Sequence, residues 1–143
     1  MTYYITRLSW IPARALRGLC TPLPDGMTVC LDPTAFSLHW MPLCLSRPAA
    51  LDVTDKAEGA PARLYQTTLT AAVAGVPVGL NDEPPALLAR QADGTALLIG
   101  LDFAPHPLAT LSRTAPDRTG ERAGEVLTVT WLAPWGALRT VTP

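Results

Sequence analysis

The stretch Leu87-Leu-Ala-Arg-Gln-Ala-Asp-Gly-Thr-Ala-Leu-Leu-Ile-Gly100 constrains this chain more than any other. Two apolar runs meet at Asp93-Gly94, a dipeptide that favours tight hairpins. Glycine takes up positive φ at no steric cost, and aspartate tolerates it better than most residues. A two-residue loop there places Arg90 opposite Leu97 and Leu88 opposite Ile99 on one face. The other face then pairs Gln91 with Ala96, Ala89 with Leu98 and Leu87 with Gly100. Both faces are largely apolar, so the hairpin is expected near the middle of a sheet, with neither side fully wet.

Fifteen prolines and ten glycines cut the rest of the chain into short pieces, which suits strands and turns better than helices. Tyr3 to Trp10 reads as a first strand ended by Pro12. Tyr4, Thr6, Leu8 and Trp10 share one face and Tyr3, Ile5, Arg7 and Ser9 the other. Ala13 to Leu19 has room for a helical turn before Gly18. Met27 to Leu31 alternates, and Ala35 to Met41 reads as a strand with Phe36, Leu38 and Trp40 on its buried side. The run 46–62 holds Pro48, Asp52, Asp55, Lys56, Glu58, Gly59 and Pro61, and is expected as a long exposed loop.

Arg63 to Val73 has the longest clean alternation, with Tyr65, Thr67, Leu69, Ala71 and Val73 on one face. Residues 75–85 connect it to the hairpin. Leu108 to Leu111 can add a short edge segment, and 112–124 forms a polar loop. Glu125 to Trp131 is the last well-marked strand, and Leu138 to Val141 can pair briefly at an edge. The expected fold is mainly β, with little helix. It is a single domain over 1–143, with seven or eight short, mostly antiparallel strands in a sandwich or partly closed barrel.

Composition narrows the function. With 11 basic and 12 acidic residues the formal net charge is −1, which gives no electrostatic pull toward nucleic acid or an anionic membrane. No apolar run approaches the roughly 18–20 residues that span a bilayer. The N-terminus lacks the basic start of a signal peptide. Cys20, Cys30 and Cys44 are odd in number and match no zinc spacing, and free thiols in a reducing cytoplasm are the simplest reading.

Candidate chemistry is sparse. His39 precedes Cys44 by five positions, but nothing supplies the third group that orients a Cys-His nucleophile pair. His106 stands between Pro105 and Pro107 with no neighbouring ligand to complete a metal site. The acids Asp52, Asp55 and Glu58 lack the ligand spacing and central glycine of a calcium loop. Neither a phosphate-binding glycine loop nor a Gly-x-Ser-x-Gly elbow occurs. No catalytic residue, cofactor or metal site is assigned from the sequence. Trp131 and Trp135 flank Leu-Ala-Pro, so one can lie in the core while the other faces outward as a contact anchor or folds back over the sheet end.

Three segments carry a resemblance: Leu64-Tyr-Gln-Thr-Thr-Leu-Thr70, Arg90-Gln-Ala-Asp-Gly-Thr-Ala-Leu-Leu-Ile-Gly100 and Arg118-Thr-Gly-Glu-Arg-Ala-Gly-Glu-Val-Leu-Thr-Val-Thr-Trp131. Their order resembles small virion proteins encoded in bacterial prophages, over residues 63–133. The resemblance implies a non-enzymatic tail- or neck-associated structural protein, located in the virion, that assembles with copies of itself or with other proteins. The loops 46–62 and 112–124 are then the candidate contact regions, with Arg118, Arg122 and Trp135 as the candidate protein contacts. A different class stays open: a small β-barrel or sandwich that holds a peptide or small ligand, in a pocket lined by Trp10, Trp40 or Trp131.

Overall fold

The computed structural model describes residues 2–56, 64–74, 83–103, 105–114 and 124–141. Eleven strands follow in chain order: β1 (Thr2–Pro12), β2 (Cys20–Pro22), β3 (Thr28–Leu31), β4 (Met41–Leu43), β5 (Ala49–Asp55), β6 (Tyr65–Val73), β7 (Pro85–Gln91), β8 (Ala96–Ile99), β9 (Leu108–Thr114), β10 (Gly124–Ala133) and β11 (Leu138–Val141). They form one mixed, mostly antiparallel sheet in the order β2-β3-β11-β8-β7-β1-β5-β6-β10-β9, with β4 attached to β1; the sheet is not closed. Only β3 and β11 run parallel. Among the described residues the helical pieces are two 3₁₀ turns, Ala13–Leu16 and Pro33–Ser37. No helix there is long and apolar enough to cross a membrane.

The central hairpin forms, but one residue out of the expected register. Leu87 faces Ile99, Leu88 faces Leu98, Ala89 faces Leu97 and Arg90 faces Ala96. The loop is therefore three residues long, Ala92-Asp93-Gly94. Gly94 N–H donates to Gln91 O at 3.0 Å and Gln91 N–H to Thr95 O at 2.9 Å. In this arrangement Gly94 alone takes positive φ, at 90°. Asp93 is spared the left-handed region, and its carboxylate accepts from Thr95 N–H at 2.8 Å. A three-residue loop with glycine in the left-handed position is the next commonest hairpin connection after the two-residue loop the dipeptide suggests. Leu87, Leu88, Ala89, Leu97, Leu98 and Ile99 are all buried, so both faces of the hairpin are covered.

The first strand also departs from simple alternation. Ile5 pairs with Gln91 but Arg7 pairs with Arg90, so Thr6 is an extra residue in β1, a β-bulge. The slip turns Leu8 and Trp10 to the side that already holds Ile5, and all three are buried. Tyr4, expected beside Leu8 and Trp10, is 68% exposed. One edge of β1 pairs with β7, while the other is shared between β5 at its start and β4 at its end.

Three expectations are corrected. The segment 35–41 is no strand, because Asp32 accepts from Thr34 N–H and, with Pro33, starts a 3₁₀ turn. Phe36 is left exposed as a result. The expected loop at 46–62 contains β5, which buries Ala49 and Leu51 between β1 and β6. Its acidic residues hide a true alternation, since Asp52 and Thr54 point outward. Residues 57–62 of that loop, Arg63 of the strand expected after it and 115–123 of the polar loop lie outside the described residues; 112–114 and 124 belong to β9 and β10. Lastly, β11 is no edge strand but joins β8 to β3. The count of eleven exceeds the expected seven or eight because β2, β4 and β5 escape the pattern.

One core runs through the whole sheet. Its largest fully buried side chains include Trp131, Ile5, Leu51, Leu69, Leu98 and Leu127. Each such leucine stabilises the fold by about 1.5–3 kcal/mol. The sheet bends back on itself to do this. Pro107, leading into the terminal strand β9, packs against Gly100 at the end of β8. A Cβ on Gly100 would meet the Pro107 ring and Pro85 O at 3.1 Å. Gly100 also has φ 100°, so two independent constraints favour glycine there.

Gly100→Ala is expected to destabilise by about 2–4 kcal/mol in urea unfolding, from backbone strain plus displaced neighbours. Gly94→Ala, with open space around it, should lose only the strain, about 1–2 kcal/mol. Thr67 is the one buried polar side chain among the described residues, and its hydroxyl has no hydrogen-bond partner. Thr67→Val, which keeps the shape and removes the orphan group, should stabilise by about 1 kcal/mol or more.

Candidate functional site

Pro134 and Gly136 interrupt β10, and the turn they make brings Trp135 back toward the sheet. Its ring stacks on Trp131 at 6.4 Å and 22° between planes, and meets Phe103 edge-on at 5.5 Å. Trp131 is fully buried and donates from Nε1 to Pro105 O at 3.0 Å. Trp135 is thus half-buried with one side committed to the fold, and exposed Phe103 continues the aromatic surface. Arg118 and Arg122 lie outside the described residues.

The groups that could react are kept apart. His39 and Cys44 are both exposed, and no hydrogen bond joins them. His106 is half-buried, with Nδ1 shut off from solvent and unpartnered. It shares a shallow depression of about 300 Å³ with Glu83, Pro85 and Leu108. The Glu83 carboxylate is already held by Arg14 at 2.7 and 3.2 Å. That hydrogen-bonded pairing keeps Glu83 below the usual carboxylate range and raises Arg14. With its carboxylate engaged by Arg14, Glu83 is not free to orient the His106 imidazole.

Cys20 is buried near Asp102, with Sγ 3.6 Å from Oδ1 and 3.8 Å from Leu16 O. Burial pushes its thiol up to about 11, the opposite of what a nucleophile needs. Cys30 is half-buried and all three cysteines are free. No group of three His, Cys, Asp or Glu that could hold a metal occurs among the described residues.

Two depressions have polar linings. One of about 470 Å³ lies between the hairpin and the turn before β3, lined by Tyr3, Met27, Gln91, Asp93, Leu97 and Arg139 among others. The other, of about 240 Å³, is lined by Thr6, Arg7, Leu8, Ser9, Pro42, Leu43, Leu88 and Arg90. Neither these nor the His106 depression is lined by Trp10, Trp40 or Trp131. Trp40 instead donates to Ala35 O at 2.8 Å. Arg7 and Arg90 were not singled out from sequence. The spacing of Ile5 and Leu8, three apart, is compatible with a bulge between them, but nothing in it brings position 7 beside position 90.

No protein-family model matches the chain, and neither a curated protein nor a solved structure matches it.

The thiols provide a direct check on these surroundings. At pH 8 the exposed Cys44 is expected to react readily with a thiol reagent, as followed by mass spectrometry. Cys20 should react only after denaturation. Because its folded value is raised, its contribution to stability holds below the ordinary thiol value and is lost as pH rises toward 11.

Proposed function

We propose that this chain is a non-enzymatic structural protein that acts through protein–protein contacts, in the manner of a tail or neck component of a prophage virion. The observation that carries this reading is the inequality of the sheet's edges. β2 and β4 have three residues each and contain Pro22 and Pro42. Proline removes a ladder donor, so these edges are poor templates for further pairing. β9 is seven residues long, contains no proline and is the last strand in the sheet order. Leu108 at its start is 69% exposed. Among the described residues no strand pairs with its outer edge, and a strand of this length suits strand addition, in which backbone hydrogen bonds join two chains.

On this reading the partners are protein: a second copy of the chain or another virion component, with neither nucleic acid nor membrane engaged. The curved sheet serves as a sandwich or partly closed barrel that holds the contact regions in place, in the cytoplasm and then in the virion. Arg118, Arg122 and Trp135 remain the proposed anchors. A second reading, a binding module for a peptide or small ligand, draws its support from the depression of about 470 Å³, a volume within the range of ligand sites.

Light scattering coupled to gel filtration tests the first reading. The protein is expected to elute as an oligomer, and Leu108→Glu at the exposed start of β9 should shift it toward monomer with little loss of fold. A strict monomer that captures no protein partner overturns it.

A further inference from the structure

The depression of about 240 Å³ contains an arrangement that the fold alone does not require. Arg7 and Arg90 are direct cross-strand partners in the β1–β7 register. Like charges placed opposite each other on a sheet destabilise it, so such a pair calls for a counter-charge. Among the described residues none is present: no carboxylate lines the depression, and neither guanidinium is in an ion pair there. Arg90 lies over the Phe36 ring at 5.8 Å, within cation–π range. The Ser9 hydroxyl adds a further donor to the lining, while the Thr6 hydroxyl donates to Arg90 O at 3.3 Å.

The bulge is what creates the pair. Without the extra Thr6, Arg7 would lie opposite Ala89, on the side of the strand where Ile5 is buried. Burying Leu8 and Trp10 demands the bulge but leaves the identity of residue 7 open, and arginine beside arginine is an unfavourable way to fill it. The lining also includes Leu8, Pro42, Leu43 and Leu88, apolar groups beside the two arginines. A bare, strongly hydrated ion would gain nothing from those groups, whereas a short hydrocarbon stem would.

We propose that the Arg7–Arg90 depression binds a carboxylate carried on a short apolar stem, with the two guanidinium forks on the carboxylate oxygens and the stem against Pro42, Leu43 and Leu88. The same chemistry is offered by a free short organic acid and by an acidic side chain of a protein partner. The inference does not depend on the assembly reading, since a monomer would carry the same site.

Thermal melting of the full chain tests it, with each additive compared against sodium chloride at matched ionic strength. Glutarate and a capped peptide containing a single glutamate are the two carboxylate probes, and inorganic phosphate is the bare-ion comparison. Glutarate or the peptide is expected to raise the melting temperature above the chloride value, and whichever acts more strongly identifies the source. Arg7→Gln and Arg90→Gln should weaken the response about tenfold or more, and Arg7→Lys should restore it only in part because lysine lacks the fork. Arg139→Gln, in the other depression, should leave it intact. Without ligand and at low salt, Arg7→Gln should melt above the natural protein, the difference fading as salt is added. A response to phosphate alone, no response beyond chloride, a response unchanged in Arg7→Gln, or an Arg7→Gln protein that melts lower at low salt each overturns the proposal.

Discussion

A one-residue slip in β1 governs the architecture. An open sheet of this length must cover its own apolar face, and β1 lies where that happens. It carries β7 along one edge and divides the other between β5 and β4. With strict alternation, Ile5 could be inward only if Leu8 and Trp10 were outward. Thr6 breaks the alternation, and apolar residues on both halves of the strand reach the same interior. Extra twist at a bulge also suits the bend that brings the far strands back. The sheet therefore gets its curvature and its continuous core from the same residue.

The return is fixed at Gly100. Its positive φ turns the chain out of β8, and its missing side chain lets Pro107 and the Pro85 carbonyl approach. Pro107 then leads into β9, at the opposite end of the strand order from β2. Trp131 reinforces the junction by donating to Pro105 O in the same connection. The aromatic stack of Trp131, Trp135 and Phe103 sits at this junction, so the side chain that looked free to serve as an outward anchor is partly spent on holding the fold.

What could be read from the sequence was whatever local chemistry decided. The long alternations of β6 and β10 were legible because β-branched and apolar residues occupy every second place. The covered hairpin was legible from its two apolar faces, although its register turned on whether Asp93 would accept positive φ or a hydrogen bond. β5 was hidden because its outward positions are acidic and flanked by prolines, so composition read as loop while position decided strand. The segment 35–41 misled in the opposite sense, since its alternation was overruled by an Asp-Pro cap. β11 gave no sign of its partners, which come from opposite ends of the chain. For the same reason the Arg7–Arg90 pair could not be seen: 83 positions separate the two residues, and only the bulge sets them side by side.

The contrast among the strand ends has a consequence for stoichiometry. A sheet with two good edges can add neighbours on both sides and grow without limit, as fibrils do. Among the described residues, proline weakens β2 and β4 as templates and leaves β9 as the long margin. On the proposed strand-addition reading, two copies meeting along that margin by a two-fold axis would each use the other's template, and growth would stop at a pair. The two short, proline-bearing strands would then act as a terminator of polymerisation.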